Sequence, residues 1–503
     1  MKSTDLQIPS FASPDAENLF LASKNGLRTY AELALFSDFF LQFLIDFDHD
    51  LKKPVGFLAS SSDELIFCIG ACWQLGIPFI CFNPKSTDEE LQYQVNELQP
   101  GLIITDEDHN HHDFLGNQVG IAEVRLERAL SIDVELGRRA KRYKPNFKPE
   151  DIFGYFFTSG TTGHPKIVPL KRRQMLFAAE ASSHNFKPRV NHFWLLCLPL
   201  NHIGGISIIL RSILYGSGIY RMDEFNINAV STFLSENPMF QAASLVPTML
   251  KRLLDIKGFQ THKNFQAILL GGGPIDSGLL REATEWGIPV VSSYGMTETC
   301  AQIAANPLLK PSGTYRPLKS VGNIFEPNQI EIRDDQNRDI GVNNSGIIWL
   351  KGPQVFDGYY KKQKPNLSFD EDGWFNTGDY GHLNANGHLF IESRRTDLII
   401  TGGENVSPFE VEAELEKIEP IREAAVFGVD DKEWGQKVVA VVVAKTHDLL
   451  ETESIQKTLK KRITSYKVPK QIVQADTLPR THSGKVIREE LIKLLKERKR
   501  KDS

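Results

Sequence analysis

The chain has 503 residues, 41% of them apolar and 24% charged, with a formal net charge of −5 at pH 7. A single core stops growing near about 250–300 residues, so two or three domains are expected, and the ordinary composition excludes a disordered, collagen-like or disulfide-stapled chain. The charge balance gives no overall reason to coat nucleic acid or an anionic membrane, so any anion must be bound locally.

The N-terminal stretch MKSTDLQIPSFASPDAENLF is polar and lacks the apolar core of a signal peptide. No run reaches the roughly 18 apolar residues of a spanning helix. A cytoplasmic protein without integral membrane association is expected. The five cysteines, Cys68, Cys72, Cys81, Cys197 and Cys300, lie mostly in apolar runs and read as reduced core thiols. Cys68 and Cys72 share a helical face, but no further ligands at metal spacing accompany them.

From Val55 the chain reads VGFLAS, then a helical pattern from Asp63 to Leu75, then IPFICF, a capped helix STDEELQYQV, and LIIT. Strand and helix alternate, which predicts a mostly parallel sheet with crossover helices. The texture recurs at WLLCLP (194–199), AILLGGGP (267–274) and PVVSSYG (289–295). From about Gly322, short alternating runs broken by Gly, Asn and Asp predict a smaller β-rich region. Near residue 395 a new unit begins. Ser407 is placed to cap a helix with Pro408 at its first position and Glu410 closing a capping box, with Val411, Leu415 and Ile418 on one face. VVAVVVA (438–444) reads as the core strand of this unit, followed by a helix with Ile455, Leu459 and Ile463 along one side. The basic tail KLLKERKRK reads as a solvated helix end rather than a nucleic-acid arm.

The segment TSGTTGHPK spans Thr158 to Lys166 behind the strand-like YFF. Hydroxyls alternate with Gly160 and Gly163 and the run ends in an ammonium, so backbone N–H groups, hydroxyls and one cation can face a polyphosphate. Pro165 before Lys166 breaks the Walker register, and an ordinary Ser/Thr-rich turn is the bland alternative. YGMTET (294–299) offers an aromatic face, a hydroxyl and a carboxylate in succession. The glycines of GGGP (271–274) allow a ligand to approach the backbone closely, although a tight strand-to-helix turn also explains them.

In order along the chain, TSGTTGHPK, YGMTET, WFNTGD (374–379), SRRTDLIITGGENVSPFEVE (393–412) and SGKVIREEL (483–491) resemble the motifs of the adenylate-forming acyl-CoA synthetase superfamily. The resemblance covers nearly the whole chain. It implies an α/β fold: a large N-terminal AMP-binding domain (1–395) of doubly wound sheets with a small β-rich subdomain, and a smaller mobile catalytic α/β domain (396–503). ATP, Mg²⁺ and CoA are the implied cofactors and co-substrates, and the partner is a small-molecule carboxylic acid, with no nucleic acid.

By the same resemblance Thr158, Ser159, Gly160, Thr161, Thr162, Gly163 and Lys166 hold phosphates, and Gly271, Gly272 and Gly273 border the adenine and acyl pockets. Tyr294, Thr297 and Glu298 contact adenine, the α-phosphate and Mg²⁺. Asp379 takes the ribose hydroxyls, Arg394 gives a second ribose or a phosphate contact, and Gly402 and Gly403 serve the second half-reaction. Lys485 is implied to be the catalytic lysine of adenylation, and His202 flanks the route to the acyl carbonyl. Ser393 stands where relatives usually carry Gly, and Thr396 occupies a hinge position that is often Asp or Lys.

The segments LPLNHIGGISIILRSILYGSGIY (198–220), LLGGGPID and SSYGMTETCAQI most resemble the o-succinylbenzoate-CoA ligases of menaquinone biosynthesis. A synthetase for another aryl or medium-chain acid is the nearest alternative. A carrier-loading adenylation domain and a nucleotide-binding regulator without catalysis are weaker ones.

Overall fold

A computed structural model describes residues 7–109, 116–124, 147–158, 165–223, 225–273, 275, 277–308, 320–361, 368–394, 399–401, 404–431, 434–446, 449–463, 465–480 and 486–501. Among them the chain divides into two compact units, one of residues 1–329 and 351–375, the other of 330–350 and 376–503.

Helices in the first unit begin where short polar side chains can take the orphan N–H groups of the first turn. Thr29 and Thr87 each close a capping box, with Glu32 and Glu90, ahead of helices Tyr30–Asp46 and Asp88–Leu98. Ser62 caps Asp63–Leu75, which ends at Gly76 in the left-handed region (φ 75°). Asp63–Leu75 and Asp88–Leu98 connect strands of a six-stranded sheet, and Tyr30–Asp46 leads into it. In spatial order the strands are Gln118–Gly120, Leu102–Thr105, Val55–Leu58, Phe79–Cys81, Ile152–Thr158 and Lys166–Lys171. The first five run parallel, and the last pairs antiparallel with its predecessor.

A second, nine-stranded sheet has a parallel interior of Val290–Met296, Ala267–Leu270, Phe240–Leu245, Phe193–Leu196, Gly218–Arg221 and Leu19–Ser23. Antiparallel strands finish both edges: Ala301–Ala305 with Asn323–Ile324 on one side, and Gly26–Thr29 on the other. The alternation expected from sequence is therefore present as two sheets, and the α/β class holds. An N-terminal hairpin, Leu19–Thr29, completes the second sheet from far away in sequence.

In the second unit the short runs after Gly322 form a four-stranded sheet, Gln329–Arg333, Gly346–Lys351, Phe375–Leu383 and Leu389–Arg394. The unit's other sheet is built on the long pair Ile421–Asp431 and Gly435–Ala444, whose inward Val426, Val438, Ala440 and Val442 pack with Val411, Leu415, Ile455 and Leu459. Ser407 caps helix Pro408–Glu416 as expected. Glu410 does not close the expected box: its carboxylate instead takes the Lys467 ammonium at 2.7 Å. A cross-chain cation competes successfully with the local backbone amide for that side chain.

All five cysteines are free; four are buried and Cys197 is partly so. Burial pushes every one of these thiols up, Cys197 to about 12. The thiolate is the reactive form. An aromatic disulfide reagent at pH 8 is therefore expected to label none of the five within minutes in the folded protein and all five in guanidinium. Rapid labelling of a folded thiol would contradict the burial.

Candidate active site

The phosphate-loop segment is carried by two strands that pair directly at Thr158 and Lys166. Ser159, Gly160, Thr161, Thr162 and Gly163 lie outside the described residues. The Lys166 ammonium sits 4.8 Å from the centroid of the Tyr359 ring.

Val290–Met296 brings Tyr294, which is buried, to the end of the parallel sheet and leads into a single 3-10 turn, Thr297–Thr299. Gly295 is required there, because a Cβ would collide with the carbonyl of Ala301 on the adjoining strand. The chain then turns through Cys300 and Ala301 with φ of 54° and 78°, a left-handed pair without glycine. Strain of this kind persists only where surroundings enforce it. Here the Thr299 hydroxyl bonds Met296 N and the carbonyls of Met296 and Ala301, tying the turn shut. The result is to hold Glu298 at 7% exposure with Oε1 accepting the Tyr359 hydroxyl at 2.8 Å.

Oε2 of Glu298 has no partner among the described residues, which leaves one hard oxygen available. No cluster of three or more His, Cys, Asp or Glu side chains placed to hold a metal occurs among the described residues. A magnesium ion fits such a donor set, since it commonly takes one or two carboxylates, with phosphate oxygens and water completing its octahedron.

Gly271 allows Ser293 to approach, since a Cβ would lie 2.9 Å from its hydroxyl oxygen, and Gly272 has φ 76°. Gly273 meets only Pro247 at ordinary contact distance. The loop thus has a structural need for two of its three glycines and runs beside the Tyr294 strand.

His202 occupies the N-cap position of helix Ile203–Tyr215 without a side-chain capping bond. Its ring has accessible area yet is crowded by protein on its inner side, and desolvation lowers its pKa. The neutral ring accepts from Asn201 Nδ2 at 3.4 Å.

In the second unit Asp379 is buried and lies opposite Arg394 in the strand register, with its N–H donating to Thr377 Oγ1 at 3.0 Å. The side chain of Arg394, and Gly402, Gly403, Thr396 and Lys485, lie outside the described residues.

Two residues that sequence reading did not single out complete the picture. Tyr359 is one. The other is Arg211, 5% exposed in helix Ile203–Tyr215, with Nε donating to Ser207 O at 3.2 Å and its guanidinium 4.3 Å over the Trp194 ring. Desolvation lowers its pKa to about 10, and no carboxylate among the described residues pairs with it. It lines a small cavity with Ser182, Ser207, Cys300, Ala301 and Gln302, directly behind the Glu298 turn. Gln302 Oε1 is buried there without a hydrogen-bond partner. A lone cation within the apolar run SIILRSIL is the signal that could have found Arg211.

Two largely parallel sheets, the strand pair that meets at Thr158 and Lys166, and the carboxylate turn at Glu298 are the frame of an α/β AMP-binding class. The chain belongs to the AMP-binding enzyme family, which it matches over residues 11–360, and residues 410–485 match that family's C-terminal domain. Among curated relatives, the 2-succinylbenzoate–CoA ligase of Oceanobacillus iheyensis is 34% identical over 95% of this chain and 96% of its own length. The Bacillus subtilis ligase of the same name is 31% identical over 94% and 95%. The solved o-succinylbenzoate CoA synthetase of Bacillus subtilis, in complex with its acyl-adenylate intermediate, superposes with a TM-score of 0.85 at 30% identity, covering 94% of this chain and 95% of that one. The same enzyme with ATP and magnesium ion gives 0.84.

Proposed function

We propose that this chain is an acid–CoA ligase that activates 2-succinylbenzoate. The succinyl carboxylate attacks the α-phosphorus of ATP and pyrophosphate leaves; the CoA thiol then attacks the acyl carbonyl and AMP leaves. The observation that carries the substrate reading is Arg211. A guanidinium this desolvated, with no protein carboxylate beside it, is suited to an anionic group of the ligand. The ring carboxylate of 2-succinylbenzoate, which takes no part in the chemistry, supplies that anion. The relatives' names support the same substrate.

In this reading Lys166 and the hydroxyls of residues 158–162 hold the β and γ phosphates. Thr297 contacts the α-phosphate, Tyr294 offers its face to adenine, and Asp379 and Arg394 take the ribose. Glu298 would hold Mg²⁺, which when bound offsets charge on the phosphate oxygens. His202, neutral, flanks the acyl carbonyl, Lys485 serves adenylation, and Gly402 and Gly403 serve thioester formation. Residues 396–503 are the proposed mobile catalytic domain. No helix among the described residues is long and apolar enough to cross a membrane, and a cytoplasmic location accords with that.

The deciding experiment is CoA-dependent AMP and pyrophosphate production across a panel of acids. Preference for 2-succinylbenzoate supports the reading, and equal turnover of benzoate or hexanoate would move the chain to a different acid.

A further inference from the structure

We propose that Tyr359 is a positioning residue of the ATP site, orienting both the metal-binding carboxylate of Glu298 and the phosphate-binding ammonium of Lys166. The inference rests on the roles given to those two residues above.

Tyr359 belongs to a segment, 353–360, that is braced from three sides. Gln354, fully buried, donates to the carbonyls of Thr299 and Gln302, and Phe356 N donates to Glu298 O at 2.9 Å. Those bonds register the segment against the Glu298 turn. Asp357 pairs with Lys171 at 2.7 Å and with Arg173 at 2.8 Å, and Gln174 Nε2 donates to Val355 O at 2.9 Å. Those bonds fix it to the start of helix Arg172–Asn185. Finally Tyr360 N donates to Ile167 O at 3.0 Å, joining it to the strand that begins at Lys166.

The segment therefore spans the gap between the carboxylate turn and the phosphate-loop strand, and Tyr359 is the side chain it extends toward both. The hydroxyl donates to Glu298 Oε1 at 2.8 Å while the π face lies 4.8 Å from Lys166 Nζ. The ring is itself held edge-on by Phe356, with centroids 4.9 Å apart. A phenol can serve both neighbours at once, because its O–H is a donor to a carboxylate and its face attracts an ammonium. With one oxygen of Glu298 occupied, the carboxylate's torsion is set and Oε2 is the oxygen offered to a cation. Preorganisation of this kind is what makes a charged group effective when phosphate charge has to be balanced.

The test measures ATP affinity calorimetrically, in the absence of acid, with excess EDTA and with excess Mg²⁺. Four proteins are compared: parent, Tyr359→Phe, Glu298→Gln and the double variant. Tyr359→Phe is expected to lose about tenfold in affinity with Mg²⁺ and less than twofold in EDTA, the scale of one hydrogen bond to a charged group. In the Glu298→Gln background the same change should add less than twofold, because its partner is already neutral. Equal losses with and without Mg²⁺, or losses that multiply in the double variant, would reduce Tyr359 to a packing role and overturn the proposal. If Glu298→Gln itself left the Mg²⁺ effect intact, the metal assignment of Glu298 would fall first. An impaired Glu298→Gln beside a parental Tyr359→Phe would sink only the tyrosine. Should Tyr359→Phe not fold, 3-fluorotyrosine at 359 keeps the shape with a stronger donor: a Mg²⁺ effect equal to or above the parent's supports the proposal, and a weaker one counts against it.

Discussion

With 2-succinylbenzoate as substrate, kcat/KM is expected to exceed that for benzoate or hexanoate by about 10⁴-fold, and Arg211→Met is expected to remove much of that margin. Sites built to pair a polar group reject analogues lacking it on this scale, because the protein partner is left buried and unsatisfied. For benzoate or hexanoate that unsatisfied partner is the Arg211 guanidinium. In the variant the mismatch proposed above reverses, since the substrate's ring carboxylate then has no guanidinium to pair with. Breaking one side of a buried ion pair costs about 3–5 kcal/mol, or about 10²–10⁴-fold in kcat/KM.

The stability of the variant separates this from a structural explanation. In the absence of ligand Arg211 is desolvated without a carboxylate partner, gaining a carbonyl contact and the Trp194 face. Methionine at that position restores an apolar helix and should leave the melting temperature unchanged or raised. A variant that melts many degrees lower and loses all acids equally would make Arg211 a core residue and leave the ring carboxylate without an assigned partner.

The parts of the site legible in the sequence are those whose chemistry needs contiguous residues. A loop that wraps phosphate has to bring hydroxyls, glycines and a lysine together locally, so the proposed loop Thr158 to Lys166 stands out as a unit, as does the proposed run Tyr294 to Glu298. Tyr359 is invisible by the same logic, since its partner Glu298 is 61 positions away and nothing in GYYKK distinguishes one tyrosine from its neighbour. Arg211 is hidden because its meaning comes from Trp194 and from the cavity formed with Cys300 to Gln302, none of which is adjacent in sequence.

For the fold, alternation of strand and helix revealed the parallel sheets. The split of the β-rich region between units was not visible: residues 330–350 group with 376–503 although residues 351–375, between them in sequence, belong to the first unit. Residues 351–375 include the Tyr359 brace, whose bonds run to residues 167, 171, 173, 174, 298, 299 and 302. Long-range backbone and ion-pair bonds, rather than any local pattern, decide that membership.

Lys485→Ala is expected to lower acyl-adenylate synthesis by about 10²-fold or more while leaving thioester formation from supplied acyl-adenylate nearly unchanged. Adenylation brings the anionic carboxylate against the α-phosphate and shifts charge onto the phosphate oxygens and the departing pyrophosphate, so an ammonium bridging the acyl and α-phosphate oxygens is worth most in that transition state. Removing one preorganised donor from such a site typically costs about 10²–10³-fold. Thioester formation develops charge instead on the acyl carbonyl as the thiolate adds and AMP departs. The family resemblance assigns that step to another face of the C-terminal domain, bearing Gly402 and Gly403. Rapid-quench measurement of each half-reaction in parent and variant gives the comparison. Equal loss in both steps would point to a damaged fold or to a lysine that binds nucleotide throughout. A variant that forms the adenylate at the parental rate would leave Lys485 as a solvated charge and require the balancing cation to come from elsewhere, with Lys166 the first candidate.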